Sequence, residues 1–249
     1  METISSVPAI ERGVRLLDVL ATNKDGFTFG ELFSKMDVPR ASLFRILNEL
    51  KKHGYVYQEF STNRYMLGFK ILNLGSIILK KFDVRIKARP FLQRLVAETL
   101  ESAELLILKE ENLFVVDKVD SFYPMASSVP IGKIHPFLHT TAHGMVFLAN
   151  MDDTYREERL SKEFEKLGSN ISIDNEEFNK IKIDGYAFKV ENFGFPSSRF
   201  SSPVFDSTGN VVAAIGVAVP PFRAKEEIGC KVREMASEFS RQLGYSNSK

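Results

Sequence analysis

FTFGELFSKMDVPRASLFRILNELKKHGYVYQEFSTNRYMLG, residues 27–68, is the stretch whose reading decides the fold. Thr28 followed three residues later by Glu31 makes a capping box, in which the hydroxyl accepts from a first-turn N–H and the carboxylate reaches back to the cap. The spacing predicts a short helix from Thr28 to about Met36. Asp37-Val38-Pro39 stops it, because proline has no N–H and pushes its predecessor out of the helical region, while suiting the first turn of a new helix. From Arg40 onward Leu43, Ile46, Leu47 and Leu50 fall at i, i+3, i+4 and i+7, one apolar face at about 100° per residue. Ala41, Arg45, Asn48 and Lys52 then lie roughly 140–200° from Leu43, with Ser42 and Phe44 on the flanks. Arginine pairs bidentately with guanine and asparagine with adenine in the major groove, while Arg40, Lys51 and Lys52 can neutralise phosphates. His53-Gly54 closes the helix. Two strand-like runs, residues 55–59 and 64–67, flank a turn-rich link of hairpin length and predict a wing with Asn63 and Arg64 at its tip, near a minor groove or phosphate. Thr28, Arg40, Ala41, Ser42, Phe44, Arg45, Asn48, Lys52, Asn63 and Arg64 form the expected DNA-facing set. A basic outer face alone is usually a solvated helix, and Phe44 alone could be shielding the core; the combination of cap, proline turn, basic helix and hairpin points to double-stranded DNA.

A chain of 249 residues has room for two domains. The net charge of +1 argues against a nucleic-acid partner until it is divided: residues 1–82 carry 12 Lys/Arg and 8 Asp/Glu, whereas residues 83–249 carry 21 and 24. Only the first part is suited to DNA. No apolar run approaches the ~20 residues of a membrane span. METISSVPAIERG at the start lacks the cationic and apolar regions of a secretory signal. The single cysteine, Cys230, excludes an internal disulfide framework and fits a reducing cytoplasm.

Around the two-helix unit, residues 8–23 place Ile10, Val14, Leu17 and Ala21 on one face, so a preceding helix is expected to complete a three-helix core. Residues 69–82 read as a connector helix whose apolar stripe (Ile71, Leu74, Ile78) packs on a partner helix or a second subunit, being too short to fold alone. Beyond it, helices are expected at 88–100, 140–151, 152–167, 174–183 and 225–243, and strands at 104–108, 113–119, 200–205 and 211–219. Asp206-Ser207-Thr208-Gly209-Asn210 is a strong hairpin signal. Strands with helices segregated from them predict an α+β domain, an antiparallel sheet covered by helices.

Taken in order, these features resemble the IclR family of bacterial transcription regulators over nearly the whole chain. The likeness lies in Ala9-Ile10-Glu11-Arg12-Gly13, in VPRASLFRILNEL with GYV and NRYMLG, and in ARPFLQRLVAET, VVDKVDS, LHTTAHGMVFLA, GYA at Gly185 and SPVFDSTGNVVAAI. The resemblance implies a winged helix-turn-helix domain (1–68), a linker helix (69–83) and a GAF-like α/β effector and oligomerisation domain (84–249). It also implies a homodimer or dimer of dimers, repression or activation of neighbouring genes, and a small organic-acid effector.

The resemblance places the effector pocket along the helix opening at Thr140-Thr141-Ala142-His143-Gly144, the strand after Gly185, and the strands around Arg199 and Gly216. A helix N-terminus attracts a carboxylate. This chain departs from the family where Lys189 stands for a common acidic residue, Arg199 for a frequent cysteine, and Gly216 and Ala218 for small polar residues. Thr141, Ala142, His143, Gly144, Lys189, Arg199, Gly216 and Ala218 are therefore the expected effector set, with Arg199 a bidentate clamp on an anion; the alternative is a solvent-facing Arg199 at a strand start. His135, His139 and His143, four apart, have zinc-like spacing, but Pro136 breaks the helix they would share and no HExxH arrangement occurs, so no metal or other cofactor is expected. Cys230, within a helical pattern and without an adjacent histidine, is expected to be a packed thiol, and the serines at 197, 198, 201 and 202 lack a nucleophile-elbow context. An enzyme, or a metabolite or metal sensor without a DNA-binding role, is the weaker alternative because it leaves the basic helix unexplained.

Overall fold

The computed structural model describes residues 7–123, 129–168, 173–192 and 196–246, so the METISS segment of the leader reading lies outside the described residues. The chain divides into two compact units, Met1–Lys81 and Phe82–Lys249.

The first unit runs α1 (Pro8–Ala21), α2 (Phe29–Lys35), α3 (Arg40–Lys52), β1 (Val56–Gln58), β2 (Tyr65–Leu67) and α4 (Phe69–Leu79). The capping box forms as the sequence predicts: Glu31 N–H donates to Thr28 Oγ1 (3.3 Å) and Thr28 N–H to Glu31 Oε2 (2.7 Å). Pro39 stands just outside α3 as its N-cap, at φ −56° and ψ 140°. Strands β1 and β2 pair antiparallel, and Tyr65 bridges back to Phe27, tying the hairpin to the start of α2. Leu16, Leu20, Leu32, Leu43 and Leu47 are fully buried, each contributing about 1.5–3 kcal/mol by leaving water. One expectation is corrected: Leu16 and Leu20, not Ile10, Val14 and Ala21, face this core, and Ile10 and Val14 are exposed. α1 carries two apolar stripes, and periodicity cannot say which of them meets α3.

The second unit runs α5 (Asp83–Thr99), β3 (Ser102–Lys109), β4 (Asn112–Val119), β5 (Ile134–His135), a 3-10 turn at Leu138–Thr140, α6 (Ala142–Ala149), α7 (Asp153–Leu167), α8 (Asn175–Asp184), β6 (Ala187–Asn192), β7 (Pro196–Phe205), β8 (Val211–Val219), a second 3-10 turn at Pro221–Arg223, and α9 (Glu226–Gln242). The strands form one antiparallel sheet in the order β5-β4-β3-β8-β7-β6, the helix-covered α/β architecture expected. α5 starts five residues earlier than expected, and Pro90 lies inside it with its ring on the exposed side. The helix ends at Leu100, which takes a left-handed conformation (φ 62°). Asp206 caps the β7–β8 hairpin, accepting from the Thr208 and Asn210 amides, with Gly209 at φ 83°.

Each face of this sheet has its own cover. On one, α5 and α9 meet through Phe91 and Phe239, stacked with centroids 4.7 Å apart. On the other lies α6, every residue of which is buried. Register places Glu104, Gly216, Ser201 and Ala187 across neighbouring strands on the α6 face, followed by Ser102, Ala218, Arg199 and Lys189. Cys230 corrects another expectation: it is exposed, because α9 turns Gly229, Val232, Met235, Ala236 and Phe239 inward and leaves position 230 outside.

Candidate functional site

Two surfaces carry candidate chemistry, one in each unit. On α3, Leu43 and Leu47 anchor the inner face, and Ala41, Arg45, Asn48 and Lys52 are exposed on the other. Arg45 and Asn48 make no side-chain hydrogen bond or ion pair among the described residues, so their hydrogen-bonding groups face solvent. Lys52 lies 3.5 Å from Glu49, a fully solvated pair. Ser42 is half-buried and accepts from Arg12 Nη1 at 3.5 Å. Arg40 lies over the Phe29 ring (5.2 Å to the centroid), and Phe44 packs edge-on against the same ring at 6.4 Å while keeping half its surface exposed. Phe44 thus does some of both things its position allowed.

The wing differs from expectation. Asn63 is exposed at the tip in a left-handed conformation (φ 51°). Arg64 is folded inward: Nη1 donates to the Gly26 carbonyl (2.9 Å) and to Glu31 Oε2 (3.2 Å), and Nη2 to Glu31 Oε1 (3.4 Å). It anchors the hairpin to the α2 cap instead of reaching outward, since Glu31 offers it a carboxylate already fixed by the capping box. Thr28 likewise spends its hydroxyl on the cap.

In the second unit Thr141, Ala142, His143, Gly144, Arg199 and Gly216 lie in one buried network around the start of α6, with partners that sequence reading missed. Thr141 caps α6 by accepting from the Gly144 N–H at 2.9 Å. Gly144 is required there, because a Cβ would lie about 2.5 Å from the Leu138 Cα. His143 lies against Gly216, where a Cβ would come within 2.7 Å of the imidazole Nε2. Gly216 therefore makes room for the ring. Ala218 is buried beside Arg199 in register.

Arg199 is 2% exposed, which removes the solvent-facing reading. Its guanidinium is not an open clamp either. Nε donates to Glu104 Oε1 at 2.7 Å, and Nη1 to Glu191 Oε2 at 2.6 Å and to Ser197 Oγ at 3.1 Å. The other oxygen of Glu191 accepts the Ala142 N–H at the start of α6 (2.8 Å). Glu104 also lies 3.9 Å from His143 Nδ1. Lys189, the second expected cation, is paired at 4.0 Å with Glu177 of α8. The two cations expected to wait for an anion are thus both engaged by the protein's own carboxylates.

The electrostatics follow from burial. Burial pushes His143 down to about 4, against the pull of Glu104, so the ring is neutral near pH 7. Burial raises Glu191 from its ordinary value even with Arg199 opposing. Burial would raise Glu104 as well, but Arg199 and His143 outweigh it and hold that carboxyl below its ordinary value. Two buried polar groups on this face, His143 Nε2 and Ser201 Oγ, have no hydrogen-bond partner among the described residues. The signal that could have found the network is Glu104 itself, an acidic residue in the apolar run SAELLIL, where a lone charge requires an opposite one.

The three histidines do not share a helix face, although His135 and His143 both act electrostatically on Glu104. His139 Nδ1 is 2.6 Å from Glu163 Oε2, a carboxylate that also accepts the Leu138 N–H and Arg159 Nε. His135 sits in β5 and His143 in α6, so each belongs to a different element.

Comparison with known proteins fits both units. Residues 9–59 match the IclR helix-turn-helix domain and residues 77–245 the bacterial transcriptional regulator IclR C-terminal domain. The HTH-type transcriptional regulator KdgR of Dickeya chrysanthemi is 29% identical over 96% of this chain and 81% of its own length. The crystal structure of Thermotoga maritima IclR superposes with a TM-score of 0.78 at 22% identity, covering 96% of this chain and all of that one. An IclR homolog from Microbacterium hydrocarbonoxydans, complexed with 4-hydroxybenzoate, superposes at 0.74 with 19% identity over 96% of this chain and all of its own. With an exposed cationic reading helix in one unit, a buried polar face in the other and a family model spanning each, this chain belongs to the IclR family of DNA-binding transcriptional regulators.

Proposed function

We propose that this regulator is a cytoplasmic repressor, with no catalytic step of its own, whose hold on an operator is controlled by a small organic acid bound at the α6 face of the second unit. The observation that carries the reading is the outer face of α3, where Arg45 and Asn48 present unspent donors and acceptors on an otherwise well-packed helix. Arg45 and Asn48 read base edges. Arg40, Lys52 and Asn63 contact phosphates, with Ala41 and Ser42 allowing close approach. A carboxylate effector suits a helix N-terminus beside an arginine. The bound 4-hydroxybenzoate of the Microbacterium relative supports an acid as the ligand class. The exposed apolar side chains of α4 suit a homodimer or dimer of dimers. Two-fold symmetry then calls for a pseudo-palindromic operator with half-sites about 34 Å, or a multiple of it, apart.

The test is electrophoretic binding to DNA upstream of the protein's own gene, with salt varied. Specific binding should weaken steeply with salt as counterions are released. Arg45→Ala should lose about 1–3 kcal/mol, roughly 5- to 150-fold in affinity. A panel of small organic acids, 4-hydroxybenzoate among them, should contain one that releases the DNA. Binding that is absent or insensitive to salt on every genomic fragment would refute the assignment.

A further inference from the structure

The start of α6 and the Arg199 guanidinium are two groups suited to hold a ligand carboxylate, and both are occupied. Glu191 gives one oxygen to the Ala142 N–H (2.8 Å) and the other to Arg199 Nη1 (2.6 Å). That division between a helix N-terminus and a guanidinium is how a small free acid would be gripped. We propose that Glu191 is a built-in stand-in for a ligand carboxylate, and that an acidic ligand enters by exchange, taking over both hydrogen bonds as Glu191 withdraws. The inference rests on the reading of this face as the effector site, and it states how that site is regulated.

Three observations favour exchange over simple addition. The first is charge: Glu104 and Glu191 already share one buried guanidinium, and a third carboxylate beside them would meet more repulsion than attraction. Replacement leaves the charge at Arg199 unchanged. The second is unspent polarity. His143 Nε2 and Ser201 Oγ are buried on the same face without a partner among the described residues, His143 is linked to Arg199 through Glu104, and Ser201 lies two residues along β7 from Arg199. A ligand carrying a hydroxyl or carbonyl besides its carboxylate could satisfy them. The third is position. β6 is the edge strand, paired only with β7, and Glu191 is its penultimate residue. Its withdrawal breaks fewer sheet bonds than movement of any residue on β7 or β8 would.

Acetate is the smallest probe of the vacated position. The thermal midpoint of the full chain should be measured in sodium acetate and in sodium chloride at equal concentration, for the wild type, Glu191→Ala, Glu191→Gln and the double variant Glu191→Ala/Arg199→Met. Glu191→Ala should melt lower than wild type in chloride and recover by several degrees in acetate. Wild type and the double variant should respond alike to the two salts. If acetate and chloride act identically on Glu191→Ala, or if wild type gains as much from acetate, the stand-in is refuted. Should Glu191→Ala fail to fold in either salt, acetate binding to Glu191→Gln followed by carbon NMR of labelled acetate decides: affinity at least tenfold above wild type supports exchange, and equal or absent binding overturns it. Operator binding separates the two readings. Recovery by acetate with DNA release by no organic acid leaves the exchange site standing and refutes effector control. Release by an acid with equal potency on wild type and Glu191→Ala does the reverse.

Discussion

At the residue scale, the buried charges of the second unit set its largest single sensitivities. Arg199→Met should destabilise the protein by about 3–5 kcal/mol in urea unfolding, because it leaves Glu104 and Glu191 buried without their cation. Lys189→Met, which breaks only a long, half-exposed pair with Glu177, should cost well under that, about 1 kcal/mol or less. Gly216→Ala should cost about 1–3 kcal/mol, because the added Cβ meets the Phe200 carbonyl oxygen of β7 and the His143 ring. The pH dependence has a definite sign. His143 and His135 are both held at about 4 by burial, whereas an unfolded histidine titrates near 6.5. Between those values the unfolded chain binds more protons, so the contribution is complete above pH 6.5 and declines as pH falls toward 4, by about 1.4 kcal/mol per unit for each ring. Glu191, raised by burial, acts in the opposite direction: its contribution is whole in acid and fades as pH rises through its elevated value. Equilibrium unfolding measured across pH 4–8 on wild type and His143→Asn would reveal the histidine part as a shallower slope in the variant.

At the element scale, short helices depend on their ends. α2 has seven residues, too few to stand on propensity, and is fixed by the Thr28–Glu31 box with Arg64 clamped onto it. Thr28→Ala should therefore cost about 1 kcal/mol in stability. Arg64→Ala should lower the melting temperature of the first unit while changing operator affinity far less than Arg45→Ala, a contrast that gel-shift titration and calorimetry on the same variants would expose. The helix-turn-helix, the wing and the hairpins of the sheet were legible in sequence because caps, prolines, glycines and alternation act within a few residues. The early start of α5 was not, because a proline inside a helix is tolerated when its missing hydrogen bond lies on the solvent side.

At the scale of the whole molecule, charge and apolar surface are divided between the units. The excess of cations belongs to residues 1–82, consistent with a DNA-facing first unit and a second unit that repels nucleic acid. Phe69, Leu72, Ile77 and Ile78 of α4 are exposed, more apolar surface than a single helix ordinarily leaves to water. Leu72→Lys with Ile77→Lys should shift the protein toward smaller species in sedimentation velocity and weaken operator binding, since two linked half-sites bind far more tightly than one. Unchanged assembly in that double variant would remove α4 from the proposed subunit interface.

The sequence by itself determined the element order, the α3 helix with its outward Arg45 and Asn48, the antiparallel hairpins of the second unit, and the closeness of Thr141, His143, Arg199 and Gly216 to the start of α6. These are consequences of local rules and of a family pattern carried by short motifs. Only the tertiary structure decided which stripe of α1 is buried, that Arg64 turns inward, that Cys230 is exposed, and that Arg199 already holds two carboxylates. The last is the clearest case: Glu104 lies 95 residues from Arg199 and meets it only across β3, β8 and β7. A buried guanidinium must find its counter-charge wherever the sheet places one, and no spacing along the chain records that.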